Sequence, residues 1–196
     1  MNPRKVRLPD GRVWLRVADP AWLDPLDDTS AGLRGGRWNA PGSSAVLYLN
    51  ANVVTARLQI DRLLAGTPVI PDDLDDDAFI LAFAVLPRTQ VCADVVSDAG
   101  VKALGLPGSY PVDPTGIEIP HSTCQAIGAA VRRRRLRGIW CRSACTSDGR
   151  GRELAWFPAT SRSVAIGAKP ALSFGDWRHA TTWTDLGLPD QADPAR

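Results

Sequence analysis

The stretch Gly35-Gly36-Arg37-Trp38-Asn39, with Tyr48 and Gln59 after it, organises the reading of this chain. Two adjacent glycines leave the backbone free to bend and to come close to a ligand. Arg34 and Arg37 flank them, and a guanidinium offers a rigid fork of donors to phosphate oxygens. Arg16 and Asn39 extend the donor-rich set. Trp38 and Tyr48 supply aromatic faces on which a ring can stack, although either alone also fits a half-buried core edge. Together these residue types describe a cationic concavity suited to a phosphorylated ligand.

Upstream of this stretch, Val13, Leu15 and Val17 alternate with Trp14, Arg16 and Ala18. That period predicts a strand with one face in the core and Arg16 on the opposite face. Residues 19–36, rich in Asp, Pro, Gly and Ser, read as a long loop. Downstream, residues 45–49 read as a second short strand. From Asn52 the spacing turns helical: Val53, Ala56, Ile60, Leu63 and Leu64 recur at intervals of three and four, with Asn52 placed as cap and Gly66 as terminator.

The aspartates of residues 72–77 read as a solvated linker into an apolar strand over 79–86. A short helix is expected over 95–106, ended by Gly105 and Pro107. An amphipathic helix follows over 122–136, with Ser122 or Thr123 as cap and Gly138 beyond its end. Strands over 138–144, 154–158 and 163–166 complete a mixed α+β domain.

The chain has 196 residues, of which 44% are hydrophobic and 22% charged, the range of one domain with its own core. A chain of this size needs no disulfide or metal to hold it together. The expected division is a lead-in at 1–12, the main domain at 13–168, and a C-terminal extension at 169–196 that becomes mobile from 189. Cys92, Cys124, Cys141 and Cys145 follow no zinc-type pairing, so free thiols and no metal are expected. With no secretory pattern and no bilayer-length apolar run, the expected location is the cytoplasm.

A net charge of +2 is too small to attract nucleic acid by bulk electrostatics. The five arginines within 132–137 sit where cations suit a helix C-terminus, and no aromatics interleave them. No P-loop, dinucleotide fingerprint or serine-hydrolase elbow is present.

The segment GGRWN, with Pro41 and Gly42, then Val46-Leu47-Tyr48 and a helix, resembles the opening of the RES domain family. Tyr48 follows Arg37 by eleven residues, and Gln59 follows Tyr48 by eleven, at a place where that family usually has glutamate. Cys124-Gln125-Ala126-Ile127-Gly128 resembles the family's second motif. Gly138-Ile139-Trp140-Cys141-Arg142-Ser143-Ala144 resembles its serine-bearing strand, and Leu15-Arg16-Val17 matches its first-strand arginine. The resemblance runs from about Trp14 to Ile166.

What the resemblance implies is a compact ADP-ribosyltransferase-like β core flanked by helices, in a toxin of a bacterial toxin-antitoxin pair. It implies NAD as substrate, cleaved at the nicotinamide–ribose bond or used for ADP-ribosyl transfer, and an Xre-type antitoxin that obstructs the site. Carried over by position, Arg16 and Arg37 hold phosphates or ribose, Tyr48 stacks on the nicotinamide side and Ser143 hydrogen-bonds within the pocket. Gly36, Trp38, Asn39 and Gln125 complete the NAD-binding set, and Gln59 stands in the place of the catalytic carboxylate.

Breaking that bond develops positive charge on the ribose, and a nearby carboxylate both holds a hydroxyl and offsets the charge. Gln59 can do only the first. A unit charge at ~4 Å is worth ~1 kcal/mol in a watery site and ~4 kcal/mol in a shielded one, or roughly 5-fold to 1000-fold in rate. Attenuated cleavage is therefore expected, and the alternative is an inactive protein that keeps NAD or antitoxin binding. Of possible substitutes, Asp61 lies about 200° around the helix from Gln59 and faces away. Glu118 and Glu153 are the only glutamates. Glu153, just ahead of the 154–158 strand, could lie near the site, but a solvated surface residue is the favoured reading. His121 and His179 have no partner nearby in sequence.

Overall fold

In the computed structural model the described residues are 1–146, 148–158 and 165–194. The strands are β1 (Lys5–Leu8), β2 (Val13–Ala18), β3 (Leu47–Asn50), β4 (Ile80–Val85), β5 (Gln90–Val95), β6 (Gly138–Arg142), β7 (Arg152–Trp156) and β8 (Ile166–Ser173). They form one sheet in the order β1-β5-β6-β7-β3-β2-β4-β8, parallel between β5 and β6 and antiparallel elsewhere. Among the described residues five α-helices accompany it: α1 (Thr29–Arg34), α2 (Val53–Leu64), α3 (Asp98–Ala103), α4 (His121–Arg133) and α5 (Phe174–Trp177). The fold is thus the α+β class expected.

Alternation places β2 correctly but understates its burial. All six of its residues are buried, because β2 lies inside the sheet with both faces covered. Val13, Leu15 and Val17 pack with Val53, Ala56 and Ile60 of α2 and with Trp177 and Trp183, while Trp14 joins Leu47, Leu49, Trp140 and Trp156 in another cluster. The Asn52 side chain caps α2 by accepting from the Thr55 backbone N–H at 2.9 Å. Leu63 departs from the expected core stripe and is 58% exposed.

Three expectations along the chain are corrected. Val95, expected to begin a helix, instead ends β5, which pairs with β1 and β6, and only then does Ser97 cap α3. The cap position of α4 is Pro120, not Ser122 or Thr123. Glu153 does not precede its strand but lies inside β7, opposite Cys141 of β6. Of the strand expected over 163–166, residues 163 and 164 lie outside the described residues, and β8 runs on to Ser173 as the partner of β4.

The segment after 169 is built into the fold, since Phe174, Trp177 and Leu186 are buried. Near the end, Gln191 accepts from the Val13 backbone N–H at 3.2 Å, and the Arg12 guanidinium donates to the Ala192 carbonyl. The aspartate run is likewise tied down, through an Asp76–Arg178 ion pair of 2.6 Å. Among the described residues no helix is long and apolar enough to cross a membrane.

The feature that positions the site is a parting of the sheet. β2 pairs with β4 along its whole length but with β3 at a single position, Leu15 to Asn50. Beyond that pair, Arg16 and Val17 separate from Tyr48 and Leu49. A cavity opens there.

Candidate functional site

The cavity has a volume of about 430 Å³ and is walled by β2, β3, the loop and helix before Gly36, and one face of α2. Gln59, Arg62 and Leu63 reach it together because residues three and four apart share a helix face. Arg16, Arg34 and Arg37 join Arg62, so four guanidinium-bearing residues border one space with Tyr48, Trp22 and Glu153. Such a size and mixture suit a small-molecule ligand with anionic groups.

Three of these arginines are held. Arg16 is buried, donates to the Asp27 carbonyl at 2.7 Å and lies over the Trp22 ring at 5.2 Å. Arg37, also buried, donates to the Ile119 carbonyl at 3.2 Å and forms an ion pair with Glu118. The second oxygen of Glu118 pairs with Arg62 at 2.5 Å. Burial would raise the Glu118 pKa, but the bond from Arg62 and the charge of Arg37 outweigh it and hold the carboxyl below its usual range.

Tyr48 shapes the arginine loop through its hydroxyl. That oxygen accepts from the Trp38 backbone N–H at 2.9 Å and donates to the Asn39 side chain at 2.8 Å. Burial pushes the phenol pKa above its usual value, which keeps the donor proton in place. Gly36 is required by the same contact, since a methyl group there would lie 2.6 Å from the Tyr48 hydroxyl.

The second motif supports the first from α4. Gln125 donates to the Gly36 carbonyl at 2.9 Å, and Cys124 lies 3.9 Å from Arg37. Gly128 lets α4 come so close that any side chain would collide with the Trp38 carbonyl. The motif-bearing segments are distant in sequence and meet at one loop.

Of the residues expected in the site, Arg16, Gly36, Arg37, Tyr48 and Gln59 line the cavity. Trp38, Asn39 and Gln125 do not; they border a separate hollow of about 330 Å³ with Arg132 and Arg133. Trp38 is 2% exposed and packed in the core beside Tyr110, so its ring offers no stacking face here. Asn39 is buried and donates to the Ala31 carbonyl at 2.6 Å. Gln59 accepts from the Asn50 side chain at 2.9 Å.

Ser143 is fully buried and stands behind the cavity wall, where its hydroxyl donates to Glu153 and accepts from the Cys145 backbone N–H at 3.0 Å. Burial is the main influence that lifts the Glu153 pKa, against hydrogen bonds from Ser143 and Cys145. Burial first, and Glu153 second, push the Cys145 thiol up to about 12, so it stays protonated and is no nucleophile at neutral pH.

Sequence reasoning missed Arg62, gave Glu118 no role, and favoured solvent over the site for Glu153. Arg62 was within reach of helical spacing from Gln59. Glu153 shares a face with Ala155, away from Leu154 and Trp156, a period-two signal that marks a side chain facing one wall of the sheet. Glu118 lies in a loop and carried no local signal.

Other expected features fall into structural roles. Arg132 lies over the Phe157 ring at 4.2 Å and Arg137 over Trp156 at 5.0 Å, so part of the arginine run is packed against aromatic side chains. Among the described residues no group of His, Cys, Asp and Glu is arranged to hold a metal.

No match to a curated protein reaches significance. A solved structure, that of the M. tuberculosis MbcT-MbcA toxin-antitoxin complex, contains a chain with a TM-score of 0.67 to this one, 19% identity and 86% coverage of each chain. At that identity the likeness establishes the fold. The RES domain model matches residues 13–175, which hold β2 to β8, the cavity and the motifs that brace it. The chain belongs to the RES domain family.

Proposed function

We propose that this protein binds NAD in the cavity between β2 and β3 and cleaves its nicotinamide–ribose bond, as a toxin-like protein held in check by an Xre-type antitoxin. The observation that carries the reading is the convergence of Arg16, Arg34, Arg37 and Arg62 on one cavity that also presents Tyr48 and Gln59. A diphosphate needs cations and a pyridinium ring needs a flat wall; the arginines meet the first need, and the rings of Tyr48 and Trp22 the second. Kinship with the MbcT-MbcA complex supports the antitoxin partner.

In this reading Arg37 and Arg16 anchor the phosphates, and a bound diphosphate draws Arg37 and Arg62 away from Glu118. Gln59 holds a ribose hydroxyl but brings no charge to the developing cation, so the step at position 59 is weaker than with glutamate. The products are nicotinamide and ADP-ribose when water is the acceptor. A second reading, binding without turnover, is favoured by one observation: Gln59 already gives its carbonyl to Asn50.

Calorimetric titration with NAD, beside nicotinamide release by the protein and by Gln59→Glu, separates these readings. Release by both, faster in the variant, supports cleavage; binding without release by either supports the second reading. NAD affinity unchanged in Arg37→Ala refutes the pocket.

A further inference from the structure

We propose that Glu153 is the catalytic carboxylate of this site, facing the ribose of the bound dinucleotide and supplying the negative charge that Gln59 lacks. The proposal rests on the NAD reading of the cavity. Its first support is position. Tyr48 pairs with Ala155 and Asn50 with Glu153 across β3 and β7, so Tyr48, Asn50 and Glu153 stand on one face of the sheet. Asn50 in turn holds Gln59, and Gln59 and Glu153 both line the cavity. The second carboxylate is therefore a near neighbour of the residue it would replace.

The second support is orientation. The Ser143 hydroxyl and the Cys145 thiol, the latter at 3.5 Å, both donate to Oε1 of Glu153. Ser143 is itself fixed, with its backbone N–H on the Gly151 carbonyl at 2.8 Å. Among the described residues Oε2 receives no hydrogen bond. One oxygen is anchored and the other is left for a ligand, as a carboxylate that must contact substrate requires.

The third support is charge. Glu118, the other glutamate, has both oxygens on arginines, whereas Glu153 makes no salt bridge among the described residues. A half-buried carboxylate that feels Arg37 and Arg62 only across the cavity, with no cation in contact, is costly, and a cation placed beside it relieves that cost. Substrate supplies one twice: NAD carries a pyridinium, and its cleavage moves positive charge to the ribose. Burial that lifts the Glu153 pKa also makes its carboxylate a readier proton acceptor.

With water as acceptor the step balances. The bond between the ribose C1′ and the pyridinium nitrogen breaks, and its electron pair stays on nicotinamide. An oxygen of water bonds to C1′, and the proton it loses passes to Glu153 and on to solvent. Nothing is oxidised or reduced.

The test measures nicotinamide release, NAD affinity and thermal melting for the wild-type protein, Glu153→Gln, Gln59→Glu and the double variant. Glu153→Gln is expected to stay folded and bind NAD within about 2-fold of wild type while release falls about 100-fold. Adding Gln59→Glu to it is expected to recover at least ~10-fold of the loss. Release by Glu153→Gln at the wild-type rate overturns the proposal. So does a silent wild type beside an active Gln59→Glu, a result that leaves the NAD-cleavage reading of the pocket intact. If neither wild type nor Gln59→Glu releases nicotinamide, the cleavage reading itself fails, and this proposal with it.

Discussion

Tyr48→Phe isolates what the tyrosine hydroxyl does from what its ring does. The ring survives the change, so any wall it offers to a ligand is retained. What disappears is an oxygen that accepts from the Trp38 backbone N–H and donates to Asn39, at 2.9 and 2.8 Å. Both partners, each buried, are then left without that bond beside the half-buried Tyr48 ring. An orphaned polar group costs about 1–3 kcal/mol, and water reaching in along that ring puts each of these near the lower end, so about 2 kcal/mol is expected in total. In a domain of this size that corresponds to a fall in melting temperature of about 4–8 °C. Scanning calorimetry reads it directly, and NAD titration should show weaker binding because Arg37 sits in the loosened loop. A melting temperature within ~1 °C of wild type would refute the claim that this hydroxyl holds the loop.

Three further outcomes follow from the same geometry. Gly128→Ala should destabilise by roughly 3 kcal/mol, read by urea unfolding, because the methyl group meets the Trp38 backbone carbonyl and not a side chain that can swing away. Glu153→Gln should raise the melting temperature at pH 8, read by scanning calorimetry. The folded-state pKa of Glu153 is raised above 4.5, so its favourable contribution is complete below that value and is lost as pH rises through the folded value; the variant does not titrate, and its advantage should vanish toward pH 4. Ser143→Ala should slow nicotinamide release about 10-fold with NAD affinity unchanged, and shift the acidic limb of the release profile to higher pH, because the Ser143 hydroxyl is the main hydrogen bond that holds the Glu153 pKa down.

The parts of this fold legible in the sequence are those whose signals are local. Asn52 with the three-and-four spacing after it marks α2, and alternation marks β2. β8 was hidden because an exposed edge strand needs no apolar alternation, and Pro170 is tolerated at an edge where no neighbour requires its N–H. β1 is short and half exposed for the same reason. β5 gave no local signal because Gln90 and Asp94 interrupt its apolar residues, and its pairing with β1 and β6 is long-range.

In the site, the spacing from Arg37 to Tyr48 to Gln59 delivered three residues to one cavity. Trp38 looked like a stacking surface because composition cannot distinguish a ring that faces a ligand from one that faces the core. Glu153 looked solvated because its surroundings come from β3, β6 and α2, none of which adjoins it in sequence.

Proton NMR of NAD incubated with the wild-type protein, purified free of any partner, tests the central claim most directly. The account predicts that free nicotinamide signals grow in over time as those of the NAD ribose and pyridinium are lost, and that Arg37→Ala abolishes this growth. NAD left intact in the presence of protein that has bound it would contradict the account.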